Sequence, residues 1–201
     1  MSKIIPLFTT LLQKLQYDPP KDLIDYVHEY YEQHKYRGVQ RSVRLGWQSK
    51  PHKIPQLQPV QDYLSDNVYA STLIYGNPWI NVNHTGAHNV SHVHPLTDYT
   101  CVYYLTDACS SITLENPDTF RQYSTILSLN NEIKKQHNIK PKHRLKPSKG
   151  DLLIFPSYVP HSVEINTTKQ DRISLSWGAV SKDVLDTASW YQDLKSAPVS
   201  D

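Results

Sequence analysis

Residues 80–95 read INVNHTGAHNVSHVHP. Asn81 and Asn83 alternate with Ile80 and Val82, which is the two-residue period of a strand. Gly86 permits a turn, and the stretch then reaches His92-Val93-His94. Residues i and i+2 of a strand share a face, so two imidazoles project into one space. Asparagine is poor in strands. Two of them on one face mean either a polar interior or an edge strand whose polar face meets water. The histidine pair is open in the same way: a metal site, or chance in a chain with ten histidines.

Further strand-like segments surround this stretch: STLIYG (71–76), NPWINVNH (77–84), DYTCVYYL (98–105), SSITLEN (110–116), GDLLIFPS (150–157), HSVEIN (161–166) and RISLSW (172–177). They are rich in β-branched and aromatic residues. Gly76-Asn77, Asn116-Pro117 and Lys149-Gly150-Asp151 punctuate them. Strands at this spacing make a sandwich or a barrel. Upstream, residues 20–35 predict a helix, with Leu23, Ile24, Val27, Tyr30 and Tyr31 on one apolar stripe and Pro20 at its start. A shorter helix is expected near 58–66. The expected organisation is a single domain over 1–201. Its helical N-terminal part, about 1–68, packs on one sheet from outside, and its barrel core runs from about 69 to 180. Residues 119–149 read as an insertion with a helical piece near 126–136.

His161 opens the strand that follows GDLLIFPSYVP, and a barrel can bring it to His92 and His94. Three imidazoles on one side of a metal leave positions open for oxygen chemistry. His28, His34, His52, His137 and His143 carry no such pattern and read as surface or loop residues. In RISLSW, Arg172, Ser174 and Ser176 share one face, and Ile173, Leu175 and Trp177 share the other. An arginine inside a barrel needs an anion. A dicarboxylate would serve, through two parallel hydrogen bonds. An internal Asp or Glu partner, or solvation at the barrel mouth, would serve equally.

The chain of 201 residues, with four Trp and fourteen Tyr, is long enough for one real core and unlike a disordered polymer. Its formal charge of +2 announces neither a nucleic acid nor a membrane. Cys101 and Cys109 are not spaced as CxxC, which argues against a disulfide framework or zinc ribbon and for reduced thiols inside a cell. The N-terminal apolar stretch is short and broken by Pro6, so no signal peptide is expected. No segment approaches the roughly 20 apolar residues of a membrane span. Residues 134–149 hold seven Lys and Arg and no acid. That run is either a solvated loop or a contact for nucleic acid, an acidic protein or a phosphorylated small molecule. Trp47 and Trp79 are either core or part of a stacking surface.

Residues 80–95, CVYYL (101–105), KGDLLIFPSYVPHSV (149–163) and RISLSW together resemble a family of bacterial and phage 2-oxoglutarate–Fe(II) oxygenases. PLFTT (6–10) and GWQS (46–49) are similar to that family's N-terminal region, so the likeness runs from about residue 5 to 178 and is poor over 119–149. The resemblance implies a mainly β protein with N-terminal helices, folded as a double-stranded β-helix (jelly-roll) barrel. It implies Fe(II), 2-oxoglutarate and O2, with His92 and His161 as iron ligands. The position two after the first histidine is usually Asp or Glu in the superfamily. Here it is His94, and Asp98 is the alternative if the chain turns after Pro95. Arg172, eleven residues after His161, resembles the arginine that grips the distal carboxylate, and Ser174 completes that pattern. Asn81 and Asn83 are similar in spacing to AlkB-type oxygenases, where an Asn and a Tyr on this strand contact 2-oxoglutarate.

The implied activity is a cytoplasmic dioxygenase of a bacterial or phage-infected cell. It would hydroxylate an unidentified substrate and release succinate and CO2. The alternatives are a cupin-type metal-binding barrel, acting as an isomerase or a small-molecule binding protein, and a degenerate barrel used for interaction. The first would not need Arg172 and Ser174, and the second predicts no iron uptake. Protein side chains, nucleobases and metabolites are all open as substrates.

Overall fold

Strand β12 (Arg172–Ser181) sits between two neighbours and sorts its side chains by parity. The computed structural model describes residues 9–107, 110–118 and 126–187, so Cys109 lies outside the described residues. β12 runs antiparallel to β5 (Trp79–Asn83) on one side and β7 (Tyr99–Tyr104) on the other. Ile173, Leu175, Trp177 and Ala179 point outward into the main hydrophobic core. Arg172, Ser174 and Ser176 point the other way and are also buried. Both faces of the strand are therefore covered, one by apolar packing and one by a polar interior.

The sheet around β12 has seven strands. Its order is β1 (Gln13–Gln16), β10 (Asp151–Pro156), β7, β12, β5 and β3 (Trp47–Gln48), with β4 (Leu73–Tyr75) paired to the far end of β12. A second sheet of five strands faces it. Its order is β2 (Val43–Arg44), β6 (His88–His92), β11 (His161–Val163), β8 (Ile112–Glu115) and β9 (Lys142–Leu145). All the pairings are antiparallel. Gly86 takes φ +84°, a backbone state that a side chain would strain, and turns the chain from β5 in one sheet to β6 in the other.

Helix α1 (Lys21–His34) and helix α2 (Gln58–Asn67) cover the outer face of the large sheet. Leu23, Val27, Val60 and Leu64 are fully or almost fully buried there against Leu175, Trp177, Tyr103 and Ile154. The apolar stripe of α1 thus finds the odd-numbered face of β12. Trp47 belongs to this outer core, and its indole N–H donates to the His34 carbonyl at 3.1 Å. The rings of His34 and His52 stack on Tyr30, each with centroids 4.1 Å apart. Cys101 is a free thiol in the same core, and burial pushes its ionisation far up, so it packs as an apolar group.

Two expectations need correction. The N-terminal part is not only helical, since β1, β2 and β3 lie within it. The last two are two-residue strands, too short to show a period of two, and pairing with β6 and β5 is what defines them. Residues 119–149 end in a true strand, β9, which extends the small sheet beyond β8. β9 reads as charged because it is an edge strand, where lysine and arginine discourage further pairing. Lys142 pairs with Glu115 and Arg144 with Glu164, so two of the seven cations of that run are neutralised across the sheet. The helical piece is α3 (Asn131–Gln136), capped by the Asn130 side chain, which accepts from the Glu132 N–H. Among the described residues no helix is long and apolar enough to cross a membrane.

Leu175 is fully buried between sheet and helices. Leu175→Ala is expected to cost about 2–5 kcal/mol. Urea unfolding would show this as a lower midpoint at an unchanged slope.

Candidate active site

The space between the two sheets is built in layers that follow the strand registers. Arg172 lies opposite Asn83. In the next layer Ser174 lies opposite Asn81 on one side and Tyr104 on the other. One layer further, Ser176 is flanked by Trp79 and Val102. The wall supplied by the large sheet therefore passes from charged to polar to aromatic.

The small sheet supplies the histidines. His161 of β11 lies in register with His92 at the end of β6. His94 follows just beyond that strand, its N–H donating to the Ser157 carbonyl at 3.1 Å. One ring nitrogen from each of His92, His94 and His161 lies within 4.8 Å of the others. The ring centroids are 4.3–5.2 Å apart. The Nδ1–H of His92 donates to the Val90 carbonyl at 2.8 Å, and that of His161 to the Val159 carbonyl at 3.0 Å. Each bond reaches two residues back along the chain, fixes the tautomer, and leaves Nε2 with a lone pair directed inward. His94 packs against the Trp79 ring at 5.4 Å.

Burial lowers the proton affinity of all three rings. His161 falls to about 3, through burial and then through His92, and His94 falls to about 4, through burial and then His92. The cluster is therefore neutral at pH 7, which is the form that ligates a metal. Asp98 takes no part in it. Its carboxylate accepts the Ser181 N–H at 2.8 Å, and no histidine nitrogen lies within ion-pair distance among the described residues.

At the other end of the cavity Arg172 is 2% exposed. Its guanidinium donates to the Tyr104 hydroxyl at 3.2 Å and lies over that ring at 4.9 Å. It has no carboxylate partner among the described residues, and its Nε–H has no hydrogen-bond acceptor. The buried carboxylate of Asp151 pairs with Lys14 instead, at 2.7 Å. An internal acid partner and solvation at the mouth are thus both absent for Arg172. Asn81 and Asn83 are buried on an inner strand, which removes the solvated-edge explanation for them. The Asn83 amide donates to Asn89, whose own amide donates to Ser42. The Asn81 amide donates to Ser176 at 3.2 Å, and its Oδ1 is buried without a partner.

These donors fit iron(II) and a dicarboxylate: three neutral imidazoles on one side, and an uncompensated cation with orphaned polar atoms on the other. The free space among them is about 30 Å³, room for a water, so a larger guest must move side chains. Tyr104, Asn89 and Ser42 are parts of this site that the sequence did not single out. Tyr104 lies on the inward face of CVYYL, a parity argument that could have found it. Asn89 and Ser42 give no local signal. Trp79 lines the cavity, whereas Trp47 does not.

The fold and site together define a non-haem oxygenase architecture, and the comparisons agree. Residues 77–178, about half of the chain, match the family described as "Putative 2OG-Fe(II) oxygenase". The chain belongs to this 2-oxoglutarate–iron(II) oxygenase family and is an oxidoreductase that uses iron(II), 2-oxoglutarate and O2. No curated protein sequence matches it. Solved structures share the double-stranded β-helix. A Pseudomonas putida prolyl-4-hydroxylase is 13% identical, over 87% of this chain and 94% of that chain, at a TM-score of 0.53. A Trichoplax adhaerens prolyl hydroxylase in complex with a hypoxia inducible factor peptide is 9% identical, over 89% and 87%, at 0.56. HygX from Streptomyces hygroscopicus, with nickel, 2-oxoglutarate and hygromycin B bound, is 11% identical, over 87% and 84%, at 0.52.

The lowered histidines set a sign for the metal-free protein. Unfolded, each ring takes a proton near pH 6.5; folded, His92 does so lower, and His94 and His161 only well below that. The unfolded chain thus binds more protons in that window, and stability falls as pH drops from about 6.5 toward 4. Thermal melts in chelator should show this loss, with a shallower pH slope for His161→Gln. Equal slopes would mean that the rings are solvated.

Proposed function

We propose that His92, His94 and His161 hold the iron, and that Arg172, Tyr104 and Ser174 hold the distal carboxylate of 2-oxoglutarate. The observation that carries this is the pairing, in one enclosed space, of a neutral imidazole cluster with a buried guanidinium that has no acid partner among the described residues. Arg172 and Tyr104 offer charge-assisted donors to one carboxylate, and Ser174 adds a hydroxyl. Asn81 stands one layer nearer the histidines, so rotation of its amide would both enlarge the cavity and orient the chelating end. Asn83, locked through Asn89 to Ser42, holds the wall opposite Arg172.

Three imidazoles leave the metal its full double charge, where a carboxylate ligand would cancel one unit. That charge suits a dianionic cosubstrate. Bound there, iron(II) supplies the activation of dioxygen that the oxidation of 2-oxoglutarate drives. The chain's own residues keep the imidazoles unprotonated, align the diacid and exclude bulk water. The net reaction would insert one oxygen atom of O2 into a substrate C–H bond and place the other in succinate, with CO2 released.

Anaerobic titration with iron(II) and then 2-oxoglutarate, followed by oxygen-dependent succinate release, tests the assignment. His92→Ala, His94→Ala and His161→Ala should lose iron, and His94→Asp should retain part of it. Normal iron affinity in His94→Ala would remove His94 from the ligand set. Arg172→Leu should raise the 2-oxoglutarate requirement roughly 30-fold or more, since breaking a buried charge pair costs about 2–5 kcal/mol. An unchanged requirement would remove Arg172. A cupin-type binding barrel would take up metal without making succinate.

A further inference from the structure

We propose that the groove beside His94 receives an alkylammonium group of the primary substrate, held by the carboxylate of Asp98 and the rings of Tyr99 and Tyr158. The inference rests on reading the histidine cluster as the iron site, because that reading makes His94 the point where the groove meets the reaction centre.

The groove has a volume of about 610 Å³, ample for a substrate side chain, and His94 lies in its wall. Among its described lining residues Asp98 is the only carboxylate, and none is a lysine or an arginine. No described lysine, arginine or histidine pairs with Asp98, and its one recorded side-chain bond is to the Ser181 N–H at 2.8 Å. A backbone N–H satisfies an acceptor site but does not cancel the charge. Among the described lining residues the side-chain charge is therefore negative, and an anionic group entering the groove would meet Asp98 with no lysine or arginine side chain beside it.

The remaining walls specify what kind of cation fits. Tyr158 is 58% exposed in the groove, and Tyr99 meets Tyr69 edge to face at 5.9 Å. Aromatic faces carry negative potential and attract ammonium groups. Val93 and Val184 flank the rings, so an alkyl chain next to the charge has apolar surface to cover. A hydrated metal ion would gain nothing from such walls. The cations of β9 do not alter this, because Lys142 and Arg144 pair with acids on the small sheet. Asp98, once a candidate for iron, thus becomes a residue that sets substrate charge.

The full-length protein is titrated calorimetrically with three probes of similar size: butylammonium, neutral N-acetylbutylamine and butyrate. Butylammonium should bind at least about fivefold tighter than the acetylated probe, the size of a part-exposed charge and cation–π contact, and butyrate should be weakest. Asp98→Asn retains an oxygen for the Ser181 N–H while losing the charge, so the ratio should fall to near one. Tyr158→Leu, at an exposed position, should lower the ratio about twofold and serves if Asp98→Asn does not fold. A second arm uses a lysine-centred pentapeptide with its acetyl-lysine and glutamate counterparts. A stronger preference in the peptides than in the free probes assigns the cation to a polypeptide, and a preference no larger than in the free probes assigns it to small amines.

Equal or tighter binding of neutral or anionic probes, no binding of any cationic probe, or an unchanged ratio in folded Asp98→Asn overturns the proposal. Iron and 2-oxoglutarate binding are measured on the same samples. Their failure with the ammonium preference intact would remove only the iron assignment, whereas their success without that preference would remove only this one.

Discussion

A guanidinium sealed between two sheets, with no acid paired to it among the described residues, is the constraint around which this protein is arranged. Burying such a charge is expensive, and the Tyr104 hydroxyl and ring compensate only in part. What keeps Arg172 inside is the other face of its own strand. Ile173, Leu175 and Trp177 are locked beneath α1 and α2, and a slip of one residue would exchange the two faces. The hydrophobic core outside the barrel thus holds a costly cation inside it.

The histidine cluster follows a similar logic with the opposite charge state. Burial keeps the rings neutral, and two carbonyls of the local backbone fix which nitrogen faces inward. Because His92 and His161 sit on adjacent strands in register, the geometry of the cluster is part of the small sheet itself. The large sheet brings Arg172, Ser174, Tyr104 and Asn81, so the facing of the two sheets assembles the candidate site.

Two environments of opposite character then meet at His94. The interior beyond it is positive through Arg172, and the groove before it is negative through Asp98. Such a division keeps a dianion on one side and favours a neutral or cationic guest on the other.

Much of this was legible in residues 80–95 and 172–177. Parity along a strand depends only on local backbone geometry, so the shared faces of Asn81 with Asn83 and of Arg172 with Ser174 could be read without any partner strand. The helix over 21–34 was legible for the same reason, from a local apolar stripe. β2, β3 and β9 were not, because short or charged strands owe their conformation to the neighbour they pair with. Residue order alone established which side chains face together, while three-dimensional pairing decided what they face. That His161 meets His92, that Tyr104 meets Arg172 and that Asp98 turns to Ser181 all depend on contacts between residues 68 to 83 positions apart, which no local pattern encodes.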